Sequence, residues 1–165
     1  MKYIKTLLVI LIISFAGALM AQDAFPNIEV KTLDGQTVNL KDYTGKGKIT
    51  LVDFWATWCL PCQKELDVLA DLYPDWQEEY GVEIVAVTLD TRRALAKVAP
   101  MVETKGWEYT VLSDTKGNAQ EALSFQPIPQ VFLVDQNGNI VYAHTGFEMG
   151  DEEELEEIIA KLAKK

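Results

Sequence analysis

Ile49-Thr50-Leu51-Val52-Asp53-Phe54-Trp55-Ala56-Thr57-Trp58-Cys59-Leu60-Pro61-Cys62 decides how this chain folds. The nearly unbroken apolar run from Ile49 to Trp55 predicts a strand buried on both faces, in which Asp53 is the anomaly. Directly behind it stand both of the chain's cysteines, separated by two residues, at the opening of a helix. Thiols at that spacing can close a small disulfide ring, and a helix N-terminus favours a thiolate on the first sulfur through its partial positive charge and unpaired N–H groups. Cys59 is therefore the candidate nucleophile and Cys62 the resolving thiol. Pro61 suits the first helical turn, where its missing N–H has no intrahelical partner to lose.

Three other readings compete. A purely structural bridge closing so short a loop removes little unfolded-state entropy and stabilises little. A zinc site needs about four ligands, and His144 is the only histidine available to join the thiols. Two inert buried thiols at this spacing behind a strand would be a coincidence. A redox dithiol accounts for the pattern best.

Outward from this stretch, the sequence reads as one domain. Ile28–Leu33 and Gln36–Leu40 alternate apolar and polar residues around Asp34-Gly35, which predicts a β-hairpin. Leu66, Leu69, Ala70 and Tyr73 form one helical stripe after Cys62, which Pro74 is expected to end or kink. Val82–Leu89 reads as a second buried strand, and Leu95, Val98, Ala99 and Val102 as a second amphipathic helix that Pro100 bends. Val131–Val134 and Ile140–Ala143 flank the turn Asp135-Gln136-Asn137-Gly138 and predict another hairpin. The last helix is expected to start with Asp151 as its cap, with acids in its first turn, lysines near its end, and Leu155, Ile158, Ile159 and Leu162 facing the core.

The chain opens with Lys2 and Lys5, an apolar run from Leu7 to Phe15, and small residues up to Ala21. That is the layout of a secretory signal peptide over residues 1–21, with an uncleaved anchor as the alternative. Residues 22–27 are expected to be a short tether and 28–165 the folded domain. The formal charge is −10 over 165 residues, and removing residues 1–21 makes it more negative by two lysines. This balance argues against nucleic acid and anionic membranes as partners. Export would place the dithiol where disulfides persist, so it must be kept reduced by a dedicated donor or act as an oxidant.

A β-α-β unit, a hairpin and a closing helix, with Trp-Cys-x-x-Cys at the first strand-to-helix junction, resemble the thioredoxin superfamily. In detail the chain resembles exported thiol-disulfide oxidoreductases of the TlpA/ResA type. The match runs through Val52-Asp53-Phe54-Trp55-Ala56-Thr57-Trp58-Cys59-Leu60-Pro61-Cys62-Gln63-Lys64-Glu65, Gly81-Val82-Glu83-Ile84-Val85-Ala86-Val87 and Ile128-Pro129-Gln130-Val131-Phe132-Leu133-Val134-Asp135. The resemblance implies an α/β thioredoxin-like fold, a central mixed sheet flanked by helices with an N-terminal β-hairpin. It implies a cis-proline at Pro129 against the disulfide, with the Ile128 backbone open to an extended substrate. Trp58, Leu60, Pro61, Ile128 and Pro129 are the expected substrate-binding surface, and Trp55 is placed with Trp58 in an apolar platform beside Cys59.

Asp53, expected buried with a raised pKa, matches the acid that thioredoxins use to exchange a proton with the resolving thiol. Glu65 matches a carboxylate near the active site of the TlpA/ResA type and, as a helix residue, is expected to be better solvated than Asp53. The expected activity is that of a thiol-disulfide oxidoreductase acting on protein disulfides, supplied by a membrane or periplasmic electron donor, with no cofactor and no nucleic acid. Two alternatives stand beside it: an oxidant that introduces disulfides, and a non-catalytic copper or other metal carrier using Cys59, Cys62 and His144.

Overall fold

The protein is described by a computed structural model covering residues 23–164; the signal-peptide reading lies outside the described residues. Strands β1 (Glu29–Thr32), β2 (Thr37–Asn39), β3 (Thr50–Trp55), β4 (Glu83–Thr88), β5 (Thr110–Ser113), β6 (Gln130–Val134) and β7 (Ile140–Thr145) form one mixed sheet in the order β2-β1-β5-β4-β3-β6-β7. Around it stand α1 (Leu60–Tyr80), α2 (Val98–Lys105), α3 (Asn118–Ala122) and α4 (Asp151–Ala163). β3, β4 and β5 run parallel, whereas β6 runs antiparallel to β3. This is the thioredoxin-like α/β architecture, and the N-terminal hairpin is β1-β2.

β3 is central and all six of its residues are buried, as its apolar run requires. Alternation sends Leu51 and Trp55 into a core with Leu66, Leu69 and Tyr73 of α1 and Leu155 and Ile159 of α4. Val52 and Phe54 enter a second core on the opposite face, where Phe54 meets Phe125 at 4.7 Å between ring centroids. Asp53, between Leu51 and Trp55, therefore faces the α1 side.

Several expectations need correction. Residues 23–27 are not a tether: Ala24 bridges Asn139, the Phe25 N–H donates to the Gly138 carbonyl at 2.8 Å, and the Phe25 ring is fully buried. A phenyl ring able to leave water outweighs the small polar character of its neighbours. Pro74 does not end α1, which continues to Tyr80 and stops at Gly81 in the left-handed region (φ 67°). Trp76, with 1% exposure, extends the apolar stripe beyond the proline. Pro100 lies in the first turn of α2, where a missing N–H costs little, and of the expected stripe only Val98 is fully buried while Ala99 is exposed. The N-cap of α4 is Gly150, not Asp151; the Asp151 carboxylate instead accepts from the Glu148 N–H at 2.7 Å. β5 and α3 had no counterpart in the sequence reading.

Candidate active site

Both thiols lie where β3 passes into α1. Cys59 is the N-cap residue of α1, and Cys62 lies in its first turn. They are joined as a disulfide with their Cα atoms 5.3 Å apart. The Cys62 N–H points at Cys59 Sγ at 3.3 Å, and the Gln63 N–H donates to the Cys59 carbonyl at 3.1 Å. The first sulfur thus already receives a helix N-terminal amide, the arrangement that stabilises a thiolate. Exposure separates the two cysteines: Cys59 retains 5% while Cys62 retains none.

The loop before them is fastened from below. Asp90, fully buried at the end of β4, accepts from the Thr57 N–H and the Thr57 hydroxyl, each at 2.8 Å, and from the Thr88 hydroxyl at 2.7 Å. The Gln63 side-chain amide donates to the Thr57 carbonyl at 2.9 Å. Sequence reasoning missed Asp90; its only signal was a lone acid closing an apolar strand.

Opposite the disulfide, Ile128–Pro129 is a cis peptide at the start of β6. Pro129 is buried and Ile128 half-buried, with the Ile128 carbonyl oxygen 3.9 Å from Cys59 Sγ. Neither backbone group of Ile128 pairs with another backbone group among the described residues. Trp58 (68% exposed), Leu60 (69%) and the exposed Pro61 surround the sulfurs with apolar surface. The Gly146 N–H donates to the Pro129 carbonyl at 2.8 Å, which brings the loop after β7, with its exposed Met149, to the same rim. Trp55 is no part of that surface. It is fully buried, edge-on to Trp107 at 5.1 Å, because its strand position faces the core.

Two carboxyls stand beneath the dithiol. Asp53 is fully buried, and among the described residues neither of its oxygens has a hydrogen-bond partner. Glu65 is not solvated as its helical position suggested: it is 2% exposed, and its Oε2 has no partner among the described residues. Three residues past Cys62, it shares the inward face with Cys62, Leu66 and Leu69. Desolvation raises both pKa values well above the carboxylate range, and the Asp53 and Asp151 charges push Glu65 further in the same direction. His144 lies in register with Val131, which lies in register with Asp53; its ring is held by Asp151 at 3.3 Å and stacks on Tyr142.

Comparison with known proteins agrees with this geometry. The AhpC/TSA family profile matches residues 21–143. The thiol-disulfide oxidoreductase ResA of Bacillus thuringiensis subsp. konkukian is 35% identical over 137 residues, covering 83% of this chain and 75% of the relative. An uncharacterized thioredoxin-like protein from Porphyromonas gingivalis, solved in solution, is 41% identical and superposes with a TM-score of 0.75 over 85% of this chain and 92% of its own. The crystal structure of a protein from Chlorobium tepidum described as a putative thiol:disulfide interchange protein DsbE gives 29% identity and a TM-score of 0.74, over 86% and 96% of the two chains. With its dithiol at the strand-to-helix junction and its cis-proline opposite, this chain belongs to the AhpC/TSA family, in the thioredoxin-like group to which the ResA thiol-disulfide oxidoreductases belong.

Proposed function

We propose that this protein, a thiol-disulfide oxidoreductase by family, is an exported reductant of protein disulfides. The observation that carries the mechanism is the asymmetry of the two cysteines, of which Cys59, the N-cap residue of α1, retains exposure while Cys62 is fully buried. In the reduced protein the Cys59 thiolate attacks a client disulfide, the client S–S bond breaks, and the departing client sulfur takes a proton. Cys62 then yields its proton, attacks Cys59 Sγ and releases the second client thiol. The client gains two electrons and the protein is left with the Cys59–Cys62 disulfide. A membrane or periplasmic dithiol donor returns the electrons, and no cofactor is needed.

We assign the exchange of the Cys62 proton to Asp53, whose ionised form, populated as pH approaches its raised pKa of about 8, accepts it, while Glu65, three residues past Cys62 on the inward face of α1, stays protonated and can return one. Trp58, Leu60 and Pro61 hold the client's apolar residues, and the unpaired Ile128 backbone accepts its extended main chain beside Pro129. The reducing direction rests on the motif resemblance to TlpA/ResA-type proteins, and export on the Lys-flanked apolar run ending near Ala21.

Trapping tests the division of labour. Cys62→Ala retains the attack and loses resolution, so it should accumulate mixed disulfides with client proteins on non-reducing gels. Cys59→Ala should trap none. Equal trapping by both variants would overturn the assignment.

A further inference from the structure

The chain contains only two arginines, Arg92 and Arg93, in a molecule whose acids outnumber its lysines and arginines by ten. Both are exposed, and among the described residues neither forms an ion pair. Their place is set by topology. β4 runs parallel to β3, so the turn after β4 emerges at the same end of the sheet as the disulfide. Asp90 fixes that turn directly to the active-site loop through its two bonds to Thr57, and the Leu89 N–H donates to the Trp55 carbonyl at 2.8 Å. The arginines follow two and three residues later, in a turn closed by the Ala94 and Leu95 N–H groups on the Thr91 carbonyl.

More cations continue this flank. Lys97 is exposed one turn on, without an ion pair among the described residues, and Lys64 lies one turn before Asp67 on the face of α1 that meets α2 through the Lys105–Asp67 ion pair. On the other side of the disulfide, the loop after β7 and the start of α4 carry Glu148, Asp151, Glu152, Glu153 and Glu154. The exposed charges on the two sides of the disulfide thus differ in sign, with Arg92, Arg93 and Lys97 beyond β4 and the acids of the β7–α4 segment on the other side.

We propose that Arg92 and Arg93 form a docking face for an acidic segment of the client protein, a reading that rests on protein disulfides being the substrate. A guanidinium binds a carboxylate through paired N–H donors, and two adjacent ones without internal partners give up no existing ion pair when they bind. Arg92 lies two residues beyond Asp90 and Cys59 two residues beyond the Thr57 that Asp90 holds, each step at most about 7 Å of chain, so the client acids lie only several residues from its reacting cysteine. The acidic flank repels the same segment and fixes the direction in which the client lies across the rim.

The test uses the full chain, reduced beforehand, in single turnovers against two disulfide-linked peptides that differ only in Glu or Lys residues near the cysteine, and against neutral hydroxyethyl disulfide. The acidic peptide should react faster, by about three- to tenfold for two exposed ion pairs, and roughly 0.5 M salt should remove most of the difference. Arg92→Glu/Arg93→Glu should reverse the order, Arg92→Gln/Arg93→Gln should abolish it, and neither should change the rate with the neutral disulfide. An order unchanged in these variants, or no preference in the parent, overturns the docking face. Failure of the parent to reduce the neutral disulfide would strike instead at the redox reading; fluorescence anisotropy of labelled acidic peptide with the same three proteins would then decide the docking face alone.

Discussion

At the scale of single residues, Asp53 and Glu65 are two carboxyls removed from water, with no hydrogen bond among the described residues to either Asp53 oxygen and none to Glu65 Oε2. An unpaired buried carboxylate is tolerated when it is protonated. Because both folded-state pKa values are raised above the unfolded ones, each carboxyl contributes stability that is complete below about pH 4 and is lost as pH rises through neutrality toward the folded value. Asp53→Asn should flatten that decline, leaving the variant more stable than the parent at pH 8 by at least about 1.4 kcal/mol, the equivalent of one pKa unit. Glu65→Gln should act in the same direction with comparable size. The double variant should gain less than the sum, since each charge raises the other's cost. Unfolding free energies measured between about pH 4 and 8 decide this, and parallel curves for parent and variants would refute it. Release from the mixed disulfide should slow in both.

Among the elements, the segment ahead of β1 matters more than its composition suggests. Phe25 fills the core between β1, β3 and β6 with Ile28, Phe54 and Phe132. Phe25→Ala should cost about 3–5 kcal/mol, typical of emptying a buried phenyl site, with an unchanged denaturant slope. A loss under about 1 kcal/mol would mean that the segment is a tether after all. The strands that carry the site were readable because their apolar runs and turn dipeptides are local: Ile49–Trp55, Asp34-Gly35 and Asp135–Gly138 each announce themselves. β5 was not, being four residues whose strand character comes from pairing with both β1 and β4. Glu65 was misjudged for the same reason. Helical spacing fixed its face relative to Cys62, but only the packing of α1 against the sheet shows that the face is sealed.

For the molecule as a whole, export is the expectation that carries most biological weight. N-terminal sequencing of the native protein should find a start near Gln22 in an extracytoplasmic fraction. A retained Met1 in a membrane fraction would mean an anchored form of the same domain, and a cytoplasmic location would remove the export reading. Both outcomes outside the cytoplasm meet the same geometry. Asp23 and Phe25 bond to Ile140 and Gly138 at the β6-β7 turn, whereas Pro129 and the disulfide lie at the other end of β6, roughly 17 Å along a five-residue strand. Whatever precedes Asp23 therefore joins at the pole farthest from the chemistry. A bilayer attached there would have the dithiol facing away from it, like a lamp on a stalk, with its approach open to passing clients.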